Sequence, residues 1–117
     1  MQRVLIVDDS GFQRTLVRDA VSDEYDVVGE AENGVEAVDK FEQLSPDIVT
    51  MDIMMPAMNG VEAVEEIKGQ SPDTTVVMIT SVEQREMMKK AVAAGADAYV
   101  TKPFDGDEVR EELASVA

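Results

Sequence analysis

The chain has 117 residues, 44% of them apolar, with 25 acidic against 10 basic side chains and a formal net charge of −15. Such a length and apolar share suit a single domain over residues 1–117 with one ordinary core and exclude a disordered chain, while the charge disfavours nucleic acid as a direct partner because phosphates repel it. Cysteine and histidine are both absent, which removes disulfides, thiolate sites, an imidazole base and the usual ligands of zinc and copper, so any metal site must be built from oxygen.

The first apolar run, Val4-Leu5-Ile6-Val7, predicts a strand over Arg3–Asp8 that emerges at Asp8 and Asp9. Ser10 with Gln13 marks a helix start, and Phe12, Leu16, Val17, Ala20 and Val21 fall on one helical face. A second strand is predicted at Asp26–Ala31. The Asn33–Glu36 capping pair follows it, then a face of Val35, Val38 and Phe41 that stops at Ser45-Pro46. The third strand, Asp47–Asp52, leads through Met55-Pro56 to Asn59 with Glu62. The helix there buries Val61, Val64 and Ile67 and is expected to stop near Gly69 or Ser71-Pro72. The fourth strand, Thr74–Thr80, precedes Ser81 with Gln84, a face of Met87, Met88, Ala91 and Val92, and a stop at Gly95. The fifth, Asp97–Thr101, runs into Lys102-Pro103, and Asp105 with Glu108 opens a last helix through Val109, Leu113 and Val116. That helix runs to the end of the sequence, so no attached output domain is expected.

Five strand–helix units with short Val- and Ile-rich strands predict an α/β fold, a parallel sheet with helices on both faces. Ligands of such sheets bind beyond the carboxyl ends of the strands. Asp8, Asp9, Asp52, Thr80 and Lys102 all stand at those ends. Two unit charges ~4 Å apart repel by ~4 kcal/mol at an effective dielectric near 20. Three such carboxylates are tolerated if a divalent cation fills the cluster or one carboxyl stays protonated. Mg²⁺ suits a few carboxylates, waters and phosphate oxygens. Asp52 could attack phosphorus and form an acyl phosphate, with Lys102 and Thr80 reaching phosphoryl oxygens. Taken singly, each group has a plainer reading: Asp8-Asp9 as a turn, Thr80 as a strand end, Lys102 as an exposed lysine.

Together, Val7-Asp8-Asp9-Ser10, Asp52 with Met55-Pro56 and Asn59-Gly60, Thr80-Ser81, and Lys102-Pro103-Phe104 resemble the receiver domains of two-component response regulators, over the whole chain. Within that family the resemblance is to single-domain chemotaxis regulators. It implies a flavodoxin-like three-layer sandwich, strand order 2-1-3-4-5 with five helices, and a cis peptide between Lys102 and Pro103. It implies that Asp52 accepts a phosphoryl group from a histidine kinase, and that Asp8, Asp9, Asp52 and the backbone carbonyl of Met54 hold Mg²⁺. It also implies that Thr80 moves toward the phosphoryl group while Tyr99 turns inward. The fourth helix, fifth strand and fifth helix would then form the output surface, to which Met87 and Met88 could contribute. The expected partners are a histidine kinase and a downstream motility switch or adaptor, with the protein acting as a monomer rather than a turnover enzyme. Met54 and Val82 depart from the polar side chains many members carry. An apolar pair cannot orient the water that hydrolyses an acyl phosphate, so slow autodephosphorylation is expected.

Two other readings compete. A stand-alone receiver could relay phosphate in a pathway other than chemotaxis. A Mg²⁺-dependent aspartyl phosphatase would need a second aspartate two residues after Asp52, where this chain has Met54. A receiver that is never phosphorylated is opposed by the complete acid, hydroxyl and lysine set. No apolar stretch approaches the ~20 residues that span a bilayer and no signal peptide is visible, so no membrane contact and a cytoplasmic location are expected. The acidic excess keeps the surface solvated, and a sharper expectation is adaptation to high salt, where screening relieves self-repulsion.

Overall fold

The computed structural model describes residues 1–116. In chain order the elements are β1 (Arg3–Val7), α1 (Gly11–Val21), β2 (Asp26–Ala31), α2 (Gly34–Leu44), β3 (Ile48–Asp52), α3 (Gly60–Gln70), β4 (Thr75–Ser81), a 3₁₀ turn (Val82–Gln84), α4 (Arg85–Ala93), β5 (Ala98–Lys102) and α5 (Gly106–Val116). All strand pairs are parallel and the sheet order is β2-β1-β3-β4-β5. The predicted strands therefore stand, displaced by at most one residue at an end.

Alternation along each strand divides the core into two layers. Leu5, Val7, Val49, Met51, Val76 and Met78 face one side, against Ala37, Phe41, Val64, Ile67 and Met88. Val4, Ile6, Ile48, Val77 and Ile79 face the other, against Val17, Val21, Val109 and Leu113. Full burial of each large side chain contributes roughly 1.5–3 kcal/mol. Four of the five expected capping residues accept a backbone N–H: Ser10 from Gln13, Asn33 from Glu36, Asn59 from Glu62 and Asp105 from Glu108. Each such cap is worth about 1 kcal/mol. The fifth pair, Ser81 and Gln84, opens a 3₁₀ turn, and α4 itself starts only at Arg85.

Three expectations are corrected. Phe12 and Val35 lie on the predicted apolar faces but are exposed, Phe12 at 71%. Both sit in the first turn of a helix, just after the loop that leaves the carboxyl end of a strand. Leu16 and Val92 are also exposed, while Met87 packs against the core beside the buried Met88. Of the two stops expected for α3, Gly69 does not act, and the helix continues to Gln70 and ends at Ser71, as the Ser71-Pro72 signal predicts. The stop after α2 is Ser45 itself, which takes the left-handed conformation (φ 47°) usually left to glycine. Gly95, with φ 118°, ends the α4 region as expected.

Candidate functional site

Because β1, β3, β4 and β5 are parallel, their carboxyl ends open on one rim. Asp8 follows β1 directly, and its N–H still donates to the Ala31 carbonyl (3.1 Å), which keeps it in the ladder with β2. Its Oδ1 accepts the Ser10 N–H (2.9 Å), turning the chain toward α1, and its Oδ2 accepts from Lys102 Nζ (2.9 Å). Asp52 closes β3. Its Oδ1 accepts the N–H of Ile53 (2.9 Å) and lies 3.4 Å from Lys102 Nζ. Asp8 and Asp52 are buried, whereas Asp9 is exposed. The Lys102–Pro103 peptide is cis.

Carboxylate oxygens of Asp8, Asp9 and Asp52 lie within 4.8 Å of one another. Burial pushes the Asp52 carboxyl up to about 6, and the negative charge of Asp8 adds to the rise. Lys102 and the Ile53 N–H oppose it. Burial would lower the Lys102 ammonium, but its hydrogen bond to Asp8 and the two nearby carboxylates raise it instead. Lys102 pairs with Asp8 and Asp52, so a single ammonium stands in a cluster of three carboxylates and leaves it with net negative charge. Ligands of an octahedral ion at 2.0–2.1 Å stand at most about 4.2 Å apart. The three acids therefore fit a hard divalent cation after shifts of less than about an ångström, and they offer only oxygen.

Thr80, on β4, is 3% exposed. Its hydroxyl donates to Gln84 Oε1 (2.6 Å), which also accepts the Ser81 N–H (3.3 Å). Tyr99 pairs in register with Met78 on β4, and its side chain is 53% exposed. Between them lies a cleft of about 520 Å³ lined by Thr80, Val82, Arg85, Met88, Tyr99 and Thr101, among others. Met54 and Val82 are both exposed at the rim.

The expected set is therefore assembled in two groups. Asp8, Asp9, Asp52 and Lys102 converge, while Thr80 is turned toward Gln84 and Tyr99 points outward. Sequence reasoning missed two supports. Gln84 reads only as a capping partner. Arg14 Nη1 donates to the Asp8 carbonyl (2.6 Å) while its Nε donates to Glu30, which Arg18 also holds. Burial alone would raise the Glu30 carboxyl, but the two arginines hold it below the usual carboxylate range. No local pattern marks this cluster, because only the packing of α1 on β2 brings Glu30 alongside.

The model of the response regulator receiver domain matches residues 4–114. The chemotaxis protein CheY of Halobacterium salinarum is 48% identical, over 98% of this chain and 96% of that protein. The CheY of Thermotoga maritima is 44% identical, over 99% and 98% respectively. Among solved structures, CheY in the CheX-CheY-BeF3-Mg+2 complex from Borrelia burgdorferi superimposes with a TM-score of 0.92 at 32% identity, over 98% of this chain and 88% of that one. Vibrio cholerae CheY4 gives 0.91 at 32% identity, over 100% and 99%. With a sheet order, a rim and an acid cluster of this kind, the chain belongs to the response regulator receiver domain family.

Proposed function

We propose that this chain is a phosphorylation-dependent switch of chemotaxis or motility signalling that accepts a phosphoryl group on Asp52 from a histidine kinase. The observation that carries this reading is Lys102 Nζ standing 2.9 Å from Asp8 and 3.4 Å from Asp52 at the carboxyl rim of a receiver fold. Similarity to CheY proteins along nearly their whole length supports the chemotactic assignment. The reading takes residues 1–117 as one receiver unit, monomeric and cytoplasmic, whose output is carried by its own surface. Among the described residues no helix is long and apolar enough to cross a membrane.

Each residue has a separate task. Asp52 Oδ1 is held by the Ile53 N–H and Lys102, so Oδ2 is the oxygen free of protein hydrogen bonds and the one that attacks phosphorus. As that O–P bond forms, the donor's N–P bond breaks and imidazole leaves with its electron pair. Asp8, Asp9, Asp52 and the Met54 carbonyl hold Mg²⁺, which when bound supplies the positive charge that offsets the transferring phosphoryl oxygens. Lys102 moves from Asp8 and Asp52 to a phosphoryl oxygen, and Thr80 donates to another. Tyr99 then turns into the cleft beside it, changing the surface of α4, β5 and α5 that a motility switch or adaptor reads. The exposed apolar side chains of Met54 and Val82 give a hydrolytic water no hydrogen bond, so the acyl phosphate decays slowly. Met54→Asn should shorten the phosphoprotein's lifetime in a decay assay, and an unchanged lifetime would count against that role.

The direct test is incubation with acetyl phosphate and Mg²⁺ followed by intact mass. A phosphoryl adduct that disappears in Asp52→Asn is expected. No adduct, or one that survives the substitution, overturns the assignment.

A further inference from the structure

Thr80 has one hydroxyl proton, and a hydroxyl donates one hydrogen bond at a time. In this structure that proton is engaged. Gln84 Oε1 lies 2.6 Å from Thr80 Oγ1 and 3.3 Å from the Ser81 nitrogen. The Ser81 N–H can only donate, so the Gln84 atom between them is the amide oxygen, and Thr80 must donate to it. A second acceptor, the Ser81 carbonyl, is farther away at 3.4 Å. Thr80 is almost fully buried, so water does not compete freely for its hydroxyl. Gln84 itself closes the 3₁₀ turn between β4 and α4, where the backbone leaves the ladder before the α-helix begins. Its side chain reaches back over that turn rather than outward.

We propose that Gln84 is a positioning residue that latches Thr80 in the resting state, so that its amide oxygen and the phosphoryl group on Asp52 compete for one hydroxyl proton. The proposal rests on the phosphoryl-switch reading above. When Thr80 donates to the phosphoryl group, Gln84 keeps only the Ser81 N–H, and the tie between the end of β4 and the start of α4 loosens. Gln84 thereby sets how far the unmodified protein stands from its signalling form. It also couples release of Thr80 to the helix that carries Arg85 and Met88, two of the residues lining the cleft beside Tyr99.

Gln84→Met keeps the length of the side chain and removes the acceptor. A net hydrogen bond of ordinary strength corresponds to roughly a two- to tenfold shift in such an equilibrium. Titration with beryllofluoride and Mg²⁺, followed through the amide resonances of Thr80 and Tyr99, should give a midpoint lower by that factor in Gln84→Met. In a Thr80→Val background the same Gln84→Met change should have no effect, because the proton at issue is gone. A readout independent of any phosphoryl mimic is the Thr80 χ1 rotamer, from methyl scalar couplings in the unmodified protein. One rotamer is expected in the wild type and in Gln84→Glu, which retains an acceptor, and averaging is expected in Gln84→Met. A single unchanged rotamer in Gln84→Met overturns the latch. So does an equal midpoint shift with and without the Thr80 hydroxyl, which would place the effect in the turn alone. Failure of the wild type to respond to beryllofluoride would instead remove the switch reading, and the latch with it.

Discussion

The junction after β3 and the junction after β4 start alike, with a polar residue at a strand end and a capping pair behind it, yet they are built in opposite ways. After Asp52 the loop is drawn back on itself: the Gly60 N–H donates to the Ile53 carbonyl (2.7 Å), and the Gly34 N–H to the Met58 carbonyl (2.9 Å). Gly60 approaches so closely that a Cβ there would overlap the Asp52 carbonyl oxygen and stand 2.9 Å from Ile53 Cα. A reciprocal capping box between Asn59 and Glu62 then starts α3 at once. After Thr80 the backbone passes through a 3₁₀ turn. Val82 is 65% exposed, and the Gln84 amide oxygen ties the turn back to the Thr80 hydroxyl and the Ser81 N–H. The junction after β3 is fixed by backbone contact, and the junction after β4 is held by an exchangeable side-chain hydrogen bond; on the proposed reading the first carries the chemistry and the second reports it.

The comparison can be broken most severely at Gly60. Gly60→Ala forces the β3–α3 junction apart and should destabilise the fold by about 3 kcal/mol or more, as overpacking against backbone cannot relax through a rotamer. Denaturant unfolding would show it, and a loss below ~1 kcal/mol would mean this junction is as pliable as the other. Next is the acid cluster. Mg²⁺ at a hundredfold excess over its dissociation constant should add ~2.7 kcal/mol of stability. Asp9→Asn should lose most of that gain, and equal thermal shifts in both proteins would refute Asp9 as a ligand.

A third expectation concerns pH without added metal. Asp52 is raised from 3.8 to about 6, so between those values the folded protein binds the extra proton. Stability should therefore fall as pH rises through that window, by on the order of 3 kcal/mol in all. Glu30, held low by its arginines, contributes in the opposite sense, its stabilisation being lost as pH falls through its folded value. The difference between wild type and Asp52→Asn isolates the first effect, and parallel pH curves would remove it. The smallest effect lies in the same helix as Gly60. A Cβ on Gly69 meets nothing within 4 Å, so Gly69→Ala should stabilise by roughly 0.5–1 kcal/mol, seen as a small rise in Tm. Opposite signs at the two glycines would tie the Gly60 cost to close approach and not to glycine in a helix.

Much of this was legible in the sequence because it is local. Capping pairs lie three residues apart, strand runs declare themselves by composition, and Asp8, Asp52, Thr80 and Lys102 mark strand ends that a parallel sheet must gather. Coverage is not local. The periodicity that includes Phe12 and Val35 is real, but both stand exposed in the first turn of their helices, and no local pattern marks where coverage begins. Gly69 reads as a stop because glycine often is one, whereas Ser71 has the N–H that closes on Ile67. Ser10–Gln13 and Ser81–Gln84 are the same pattern, and only the second glutamine reaches the preceding threonine, since a 3₁₀ turn places it there.

The pair that completes the site, Lys102 with Asp8, joins residues 94 positions apart in the chain. Between them in the sheet stand β3 and β4, so the ammonium arrives only when the last strand has docked on β4. During synthesis the carboxylates are present long before the base that balances them. The charge balance of the acid cluster is thus a property of the whole sheet and of no local segment.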